Sequence, residues 1–322
     1  MMYDVITFGS AVLDVFMGTK ARERKGRIEY KAGAKIIVKD IDFQVGGCAV
    51  NVAAGLRKMG CTSGFVGKIG NDDNGRTIVN EVGRKGVFFL GVRGEGKSGF
   101  SVVLDSVKHD RTILHYRGIN DSLRPDEVGR GELRSRWFYF GSAQGQTLEA
   151  HKFFAGFASE NGIKIAFNPG MAECEMGQTA IGKILEKTEI LTLNMEEAVA
   201  LARTRRKVPK EIIKALLAMG PKIVCITNGP KHVLCSDGKY LYELSPHKVK
   251  VNESTGAGDA FSSGLLGGIL RGLAMDKAMQ IGLANSEAVL KGRGATANLL
   301  GWLDAEKAVK SNPGVMKRKL LR

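Results

Sequence analysis

The stretch that decides the fold is the small-residue loop Asn252-Glu253-Ser254-Thr255-Gly256-Ala257-Gly258-Asp259-Ala260-Phe261. It connects a strand-like segment, residues 248–251, to an apolar run with helical spacing, residues 261–273. A loop of small residues that opens a helix presents unpaired backbone N–H groups beside the positive end of the helix dipole. The spacing therefore predicts an anion site on the backbone amides of Gly256, Ala257 and Gly258.

Asp259 lies in the first turn of that predicted helix, where its charge should repel a bound phosphate. The conflict disappears if Asp259 removes a proton from a hydroxyl while the glycine-rich amides hold a phosphoryl group in transfer. A structural explanation is also available, because an aspartate is favourable in the first turn of any helix and glycine-rich turns are common. The loop alone does not decide between the two.

Composition predicts a soluble α/β protein with a large core. The chain has 322 residues, 43% of them apolar, and no apolar run approaches the roughly 20 residues of a membrane span. The N-terminus has no basic region followed by an apolar stretch, so we expect a cytoplasmic location. The cysteines are scattered without a CxxC pair, which indicates neither a disulfide framework nor a zinc site. They are Cys48, Cys61, Cys174, Cys225 and Cys235.

The net charge is +15, with basic clusters at residues 22–27, 203–210 and 317–322. Such a surplus can indicate nucleic-acid binding. These clusters are dispersed along the chain and carry almost no interleaved aromatic residues, which argues against nucleic acid as the main partner. Solvated faces and a field that favours anionic phosphate substrates explain the surplus more simply.

Strand-like patterns, among them those at residues 63–66, 164–167 and 223–227, alternate with helical patterns along most of the chain. This alternation predicts a parallel sheet covered by helices. Between residues 99 and 116 the pattern changes to two extended runs, 99–107 and 111–116, split by Lys108-His109-Asp110. With further extended segments at 28–30 and 35–43, they predict a small β layer inserted into the body. We expect one domain, with a lid at about 16–44 and 97–118 and an α/β body at 1–15, 45–96 and 119–322.

Residues 91–98, Gly-Val-Arg-Gly-Glu-Gly-Lys-Ser, fit the P-loop expression GxxxxGK[ST]. A P-loop needs a helix immediately after it, because the helix N-terminus binds the phosphates. The sequence Phe-Ser-Val-Val-Leu at 100–104 is typical of a strand instead. The motif is therefore predicted to be a polar turn that leads into the lid hairpin.

Three further positions fit ligand binding, and each has a structural alternative. Gly46-Gly47 opens a predicted helix, and Asn51, one turn into it, has an amide able to bind hydroxyls. The alternative is that Gly46-Gly47 forms a plain N-terminal turn of a helix. Asp14 follows the first strand among apolar residues and needs polyol hydroxyls or a salt bridge as partners. Asn194 and Glu197 form a capping box, which explains both residues, but Glu197 would also suit a hydrated Mg²⁺.

These elements occur in one order along the chain, together with Gly67-Lys68-Ile69-Gly70-Asn71-Asp72-Asp73-Asn74-Gly75. The set resembles the two signature regions of the PfkB (ribokinase-like) family of carbohydrate kinases, over nearly the whole chain. The resemblance implies a Rossmann-like, three-layer αβα sandwich with a mostly parallel sheet and a small β lid. It also implies transfer of the γ-phosphoryl group of ATP, with Mg²⁺, to a primary hydroxyl of a small carbohydrate.

The resemblance also assigns roles by position. Asp259 would be the general base, and the amides of Gly256, Ala257 and Gly258 the anion hole. The other assignments group by ligand: Asp14, Gly46, Gly47 and Asn51 for the sugar, Asn194 and Glu197 for Mg²⁺ and phosphates, and Thr227, Gly229, Thr255 and Asn285 for the nucleotide. At the end of the lid hairpin, Arg117 and Asn120 are further candidates for sugar contacts, and Arg117 would favour a keto-deoxy sugar acid over ribose or fructose.

Some positions depart from the family pattern. Glu253 stands where aspartate is usual, which puts activation by a monovalent cation such as K⁺ in doubt. His232 stands where a second glycine is common, and Asn168-Pro169-Gly170 replaces a more usual Asp-Pro start. Two alternatives to a sugar kinase stay open. One is a nucleoside kinase, with Phe100 or Phe43 stacking on the base, and the other is a non-catalytic nucleotide- or nucleic-acid-binding protein.

The predicted lid is too small a layer to bury both of its faces. One face can cover the sugar, which would leave the other wet with unpaired edge strands. Related kinases pair their lids across a twofold axis. We therefore expect a homodimer through the lid, with Ile37, Val103 or Ile113 on its outward face.

Overall fold

The computed structural model describes residues 1–19, 21, 23–24, 27–105, 111–204 and 208–321. Parts of the three basic clusters and the predicted turn at 108–110 lie outside these residues. The strands are β1 (Tyr3–Phe8), β2 (Val12–Gly18), β3 (Glu23–Arg24), β4 (Arg27–Ile28), β5 (Ile41–Gly46), β6 (Ser63–Val66), β7 (Lys68–Gly70), β8 (Phe88–Phe89), β9 (Val92–Gly94), β10 (Gly99–Asp105), β11 (Arg111–Tyr116), β12 (Ser135–Phe140), β13 (Lys164–Phe167), β14 (Ile190–Asn194), β15 (Ile223–Thr227), β16 (Val233–Ser236), β17 (Tyr240–Ser245) and β18 (Val315–Leu320).

The helices are α1 (Cys48–Lys58), α2 (Asp73–Arg84), α3 (Gly145–Glu160), α4 (Met171–Met176), α5 (Gln178–Leu185), α6 (Met195–Ala202), α7 (Pro209–Leu217), α8 (Ala257–Leu270), α9 (Met275–Val289) and α10 (Trp302–Ser311). Short 3₁₀ turns lie at Gly118–Asp121, Pro125–Glu127 and Arg130–Glu132. In the part of the chain that the structure describes, no helix is long and apolar enough to cross a membrane.

The main sheet has the strand order β18-β17-β16-β15-β14-β13-β12-β1-β6-β8. Its strands from β8 to β15 run parallel, and β16, β17 and β18 add antiparallel pairs at one edge. The carboxyl ends of the parallel strands therefore share one edge, where ligands bind in folds of this kind. The outermost strand, β18, carries Lys317, Arg318 and Lys319, and charged side chains protect an open sheet edge from aggregation.

Side chains alternate between two cores on opposite faces of the sheet. Ile6, Phe138 and Leu191 pack with α3, α5 and α7 on one face. Val5, Tyr139 and Ile190 pack with α1, α8 and α9 on the other. The architecture is a three-layer αβα sandwich, so the predicted fold class is confirmed.

A separate four-stranded sheet, the lid sheet, has the order β11-β10-β2-β5. In it β10 pairs parallel to β2, while β5 and β11 pair antiparallel to their neighbours. It emerges from the body directly after β1 and returns to the body at α1. This arrangement holds one face of the lid sheet above the carboxyl edge of the main sheet.

The structure corrects several sequence predictions around the lid. The strand predicted at residues 35–43 lies at Ile41–Gly46, and Asp14, predicted to lie just past the first strand, is within a second strand, β2. Residues 248–251, expected to be extended, are not part of any strand. The prediction that residues 91–98 lead into the lid hairpin and not into a helix is confirmed, because β10 follows them. The segment is not all turn, since Val92–Gly94 form β9 and pair with β7.

Candidate active site

The N-termini of α1 and α8 converge at the carboxyl ends of β1 and β12, and this junction is the candidate active site. Gly47, the residue before α1, has a φ of 101° and lies against the backbone of Ser10 and Ala11, just past β1. Gly141, just past β12, lies against Cys48 at the start of α1. Two helix dipoles therefore direct their positive ends to the same edge of the sheet.

Gly256 caps α8 in a left-handed conformation, with φ 78° and ψ −2°. A Cβ at this position would lie 2.5 Å from the Cα and the carbonyl oxygen of Ala295. Only glycine satisfies both the dihedral angle and this approach. The turn is thus held from behind by the loop around Ala295, while Gly258 is exposed and has open space around its Cα. The first-turn amides of α8 lack partners within the helix, so this turn has the geometry expected of an anion site.

Asp259 and Asn51 join the two helices. The Nδ2 of Asn51 donates to the Oδ2 of Asp259 at 2.8 Å. Burial raises the pKa of Asp259 above its usual value, and hydrogen bonds from Asn51 and Cys48 oppose this rise. The carboxylate is therefore a stronger base than an exposed aspartate and has a fixed orientation. The Oδ1 of Asn51 is buried and has no hydrogen-bond partner among the described residues.

Behind the base lies a network that sequence reasoning missed. The Sγ of Cys48 is 3.5 Å from the hydroxyl of Tyr139 and 3.7 Å from the Oδ1 of Asn168. The Tyr139 hydroxyl also donates to Asn168 at 3.4 Å. Burial and the nearby Asp259 charge raise the pKa of the Cys48 thiol, so it stays protonated. The sequence signal was available, since Cys48 follows Gly46-Gly47 and Asn168 follows β13.

The lid sheet contributes Asp14 from above. In the register of the sheet, Asp14 pairs with Ser101 on β10 and with Gln44 on β5. Burial raises the pKa of Asp14 to about 6, a hydrogen bond from Ser101 opposes the rise, and the charge of Glu253 adds to it. The Cβ that Gly46 lacks would lie 2.5 Å from the Oδ2 of Asp14 and 3.8 Å from the Oδ1 of Asn51. Asp14, Gly46 and Asn51 therefore surround one space, as predicted.

Asn194 and Glu197 form the predicted capping box at the start of α6. The Oδ1 of Asn194 accepts from the backbone N–H of Glu197 at 2.9 Å, and the Oε2 of Glu197 accepts from that of Asn194 at 2.9 Å. Burial and then the charges of Asp259 and Glu196 raise the pKa of Glu197. Glu197 is therefore near enough to Asp259 for the charge of one carboxylate to act on the other. Among the described residues, no cluster of three metal-ligating side chains is present.

The predicted nucleotide residues lie at the same edge of the sheet. Thr227 ends β15, where it is paired with Asn194 on β14, and its hydroxyl donates to the Leu193 carbonyl at 3.5 Å. Gly229 is exposed in the turn that follows, with a φ of 51°. Thr255, directly before Gly256, is partly exposed.

Three candidates have structural roles instead of the predicted contacts. The Asn120 side chain is buried and binds the backbone of Ala11 and Arg117, which fixes the base of the lid. Asn285, predicted near the adenine, is fully buried and binds the carbonyl of Ala260 and the N–H of Leu300. Arg117 makes a bidentate ion pair with Asp121. The positive charge that was predicted to recognise a sugar acid is therefore paired within the protein.

Comparison with known proteins identifies the family of this chain. A family model described as "pfkB family carbohydrate kinase" matches residues 2–300. The chain belongs to the pfkB family of carbohydrate kinases. It is therefore a kinase that transfers a phosphoryl group to a sugar, as the sequence predicted.

Among its relatives, an uncharacterized sugar kinase of Archaeoglobus fulgidus is 29% identical over 71% of this chain and 91% of the relative. The 5-dehydro-2-deoxygluconokinase of Shouchella clausii is 28% identical over 89% of this chain and 90% of its own length. A putative ribokinase II from E. coli, solved in complex with ATP and Mg²⁺, superposes with a TM-score of 0.81 at 19% identity, over 97% of this chain and 100% of that one. That similarity supports the ribokinase-like fold.

Proposed function

We propose that the protein phosphorylates a primary hydroxyl of a small polyol sugar, with ATP as the donor and Asp259 as the general base. The observation that carries the proposal is the bridge between Asn51 and Asp259. The Nδ2 of Asn51 orients the base, while its Oδ1, beside Asp14, is buried and has no hydrogen-bond partner in the part of the chain that the structure describes. A buried acceptor without a partner costs about 1–3 kcal/mol, and a sugar hydroxyl would satisfy it.

In the proposed reaction the sugar hydroxyl gives its proton to Asp259 as its oxygen attacks the γ-phosphorus of ATP. The bond between that phosphorus and the ADP oxygen breaks, and the phosphate ester forms. The first-turn amides of α8, beginning after Gly256, hold the negative charge that develops on the transferred group. The raised pKa of Asp259 suits it to accept a proton near neutral pH.

Glu197 fits the Mg²⁺ that accompanies ATP in this chemistry. Its carboxylate has a second oxygen that the capping bond does not use, and burial, followed by the negative charges of Asp259 and Glu196, raises its pKa. Mg²⁺ keeps several waters and takes one or two carboxylates, which agrees with a single glutamate at this place. When bound, the ion would neutralise charge on the phosphates. Activation by K⁺, which the glutamate at position 253 puts in doubt, stays untested; Glu253 accepts from the N–H of Gly294 at 2.7 Å.

The lid favours a sugar over a nucleoside. Phe43 and Phe100, which were candidates for stacking on a nucleobase, lie in register with Val15 and Leu13. They are therefore on the face of the lid sheet opposite to Asp14. The relative that acts on 5-dehydro-2-deoxygluconate supports the keto-deoxy sugar class, beside ribose and fructose.

The five cysteines are all free thiols, in keeping with a reducing, cytoplasmic environment.

The test is a screen of ATP consumption over pentoses, hexoses, keto-deoxy sugar acids and nucleosides, with Asp259→Asn as the matched control. The variant keeps the shape of the side chain and removes the proton acceptor. For the best substrate we expect kcat to fall by roughly 10² to 10⁴ while ATP still binds. A variant with kcat near that of the unmodified enzyme would refute the role of Asp259, and a nucleoside as best substrate would refute the substrate class.

A further inference from the structure

A second cavity of about 560 Å³ lies outside the candidate active site, between α2, the lid strand β5 and the loop at residues 293–297. Its volume is within the roughly 300–1,000 Å³ of small-molecule sites. Apolar side chains of the lid sheet form one wall, polar side chains of α2 form another, and cationic side chains stand around the opening. The lining includes Leu13, Phe43, Val45, Asn80, Arg84, Lys85 and Arg293.

The cavity lies mainly behind the lid sheet as seen from the sugar space. Leu13 pairs with Val45, and Asp14 pairs with Gln44, so successive residues alternate between the two faces. Asp14 faces the sugar space, whereas Leu13 and Val45 belong to a core shared with Ile78 and Val82 of α2. Leu13 and Val45 therefore line the cavity from the face opposite to Asp14, while Gln44, on the edge strand β5, also reaches the lining.

The charges of the lining favour an anion. Arg84, Lys85 and Arg293 are accompanied by a single carboxylate, Glu81, within the cavity. Glu81 is shared, at 3.7 Å from Arg84 and 3.5 Å from Lys85. Partly exposed ion pairs of this kind are worth at most about 1 kcal/mol, so a phosphate dianion can compete for the two cations.

The remaining lining indicates what else the anion carries. Phe43 is 58% exposed and offers a ring face beside the cationic opening. Thr77 and Asn80, both exposed on α2, and Thr296 offer hydroxyl and amide groups for hydrogen bonds. A concave site with an apolar wall, a few polar groups and cations matches a small organic phosphate better than an extended polymer.

We propose that this cavity is a second binding site, for a small phosphorylated metabolite. Its loop is the one that braces the phosphate-binding turn: Gly294 donates to Glu253 at 2.7 Å, and Ala295 packs against Gly256. The same loop holds the lid, because Arg293 pairs with Asp40 at 2.8 Å and the Arg293 carbonyl accepts from Gln44 at 3.2 Å. A ligand here contacts the body, the lid and the brace of the anion site together.

The test is calorimetric titration of the intact protein with two probes, inorganic pyrophosphate and ribose 5-phosphate, with a non-hydrolysable ATP analogue and Mg²⁺ present throughout. Arg84→Glu removes a cation of the cavity. Its matched control is Arg76→Glu, an exposed arginine on the same helix that also pairs with an acidic residue three positions earlier but does not line the cavity. Asn80→Trp fills the cavity and leaves all of its charges in place.

We expect saturable binding of at least one probe that weakens tenfold or more in Arg84→Glu, is lost in Asn80→Trp and changes less than twofold in Arg76→Glu. Asn80→Trp decides the matter if Arg84→Glu does not fold. Three results would overturn the proposal: no saturable binding up to millimolar probe, binding that survives the cavity variants, or equal weakening in Arg76→Glu. Because the readout is binding at the cavity, it is independent of whether Asp259 is the base.

Discussion

At the scale of single residues, His151 is the most unusual side chain outside the active site. It is fully buried against Phe8 and Phe140, and neither ring nitrogen has a hydrogen-bond partner among the described residues. Burial lowers its pKa to about 3. The native state therefore keeps the imidazole neutral where an unfolded chain, with a histidine pKa of about 6.5, binds a proton.

This difference predicts a loss of stability in acid. As the pH falls from about 6.5 towards about 3, only the unfolded state gains the proton, so His151 lowers the free energy of unfolding by up to about 1.4 kcal/mol per pH unit. His151→Leu should remove this part of the slope, whatever its packing cost, because that cost is the same at every pH. Urea unfolding between pH 4 and 7 measures it, with His232→Gln as the control. Parallel pH profiles for His151→Leu and the unmodified protein would contradict the prediction.

At the scale of elements, the turn before β10 matches the P-loop motif in sequence but lacks the helix that a P-loop requires. Lys97 is exposed, whereas Ser98 is buried and bonded to Asp72 at 2.6 Å and to the N–H of Gly70 at 3.0 Å. Ser98 thus ties the start of the lid strand to the N-cap of α2. The residues fit a P-loop expression, but the geometry is that of a structural turn.

Lys97→Ala should therefore leave the KM for ATP within about threefold of the unmodified value, well under the tenfold that corresponds to 1.4 kcal/mol. Ser98→Ala should instead lower the free energy of unfolding by about 1–3 kcal/mol, since it removes a buried hydrogen-bonding group. Steady-state kinetics and urea titration of both variants check the pair. Loss of ATP binding in Lys97→Ala would move the phosphate site from Gly256 to this turn.

The body of the fold was predictable because its elements bury continuous apolar patterns. Ser63–Val66, Lys164–Phe167 and Ile223–Thr227 were predicted with the bounds that the structure shows. The lid was harder. Ile36 and Ile37 look like a strand but are 44% and 83% exposed, and β5 begins at Ile41, where it pairs with Met17. Which of these residues form the strand depends on pairing with β2, a partner strand distant in sequence, and local propensity cannot show that pairing.

The candidate site, like the fold, was predictable in part. The convergence of Asp259, Gly256, Asn51 and Asp14 was predictable because loops at helix N-termini carry recognisable small and polar residues. The structural roles of Asn120 and Asn285 were not, since an amide that bonds buried backbone has the same sequence appearance as one that binds a ligand.

At the scale of the whole molecule, α2 covers the face of the lid sheet opposite to Asp14 around Leu13 and Val45, but other apolar side chains of that face are exposed in the part of the chain that the structure describes. The register sets Leu114, Val102, Val15 and Phe43 in one row, on the face opposite to Asp14. Leu114 is 57% exposed and Phe43 is 58% exposed, with Ile41 and Tyr116 more than half exposed on the same face. Val103, expected to point outward, is 6% exposed, because its row includes Phe16 on the inner face.

We propose that a second copy of the chain covers the part of this apolar face on β10 and β11, away from the cavity beside β5, since two such surfaces are self-complementary across a twofold axis. Leu114→Lys places a charge within this surface, on the edge strand β11, and should convert a dimer into monomers. Ile113→Lys is the matched control, because Ile113 is 47% exposed on the adjacent position of the same strand but lies in the row of Val103, on the other face. Light scattering at micromolar concentration distinguishes the two. A monomeric unmodified protein, or equal dissociation by both lysines, would exclude the lid dimer while leaving the sugar kinase assignment in place.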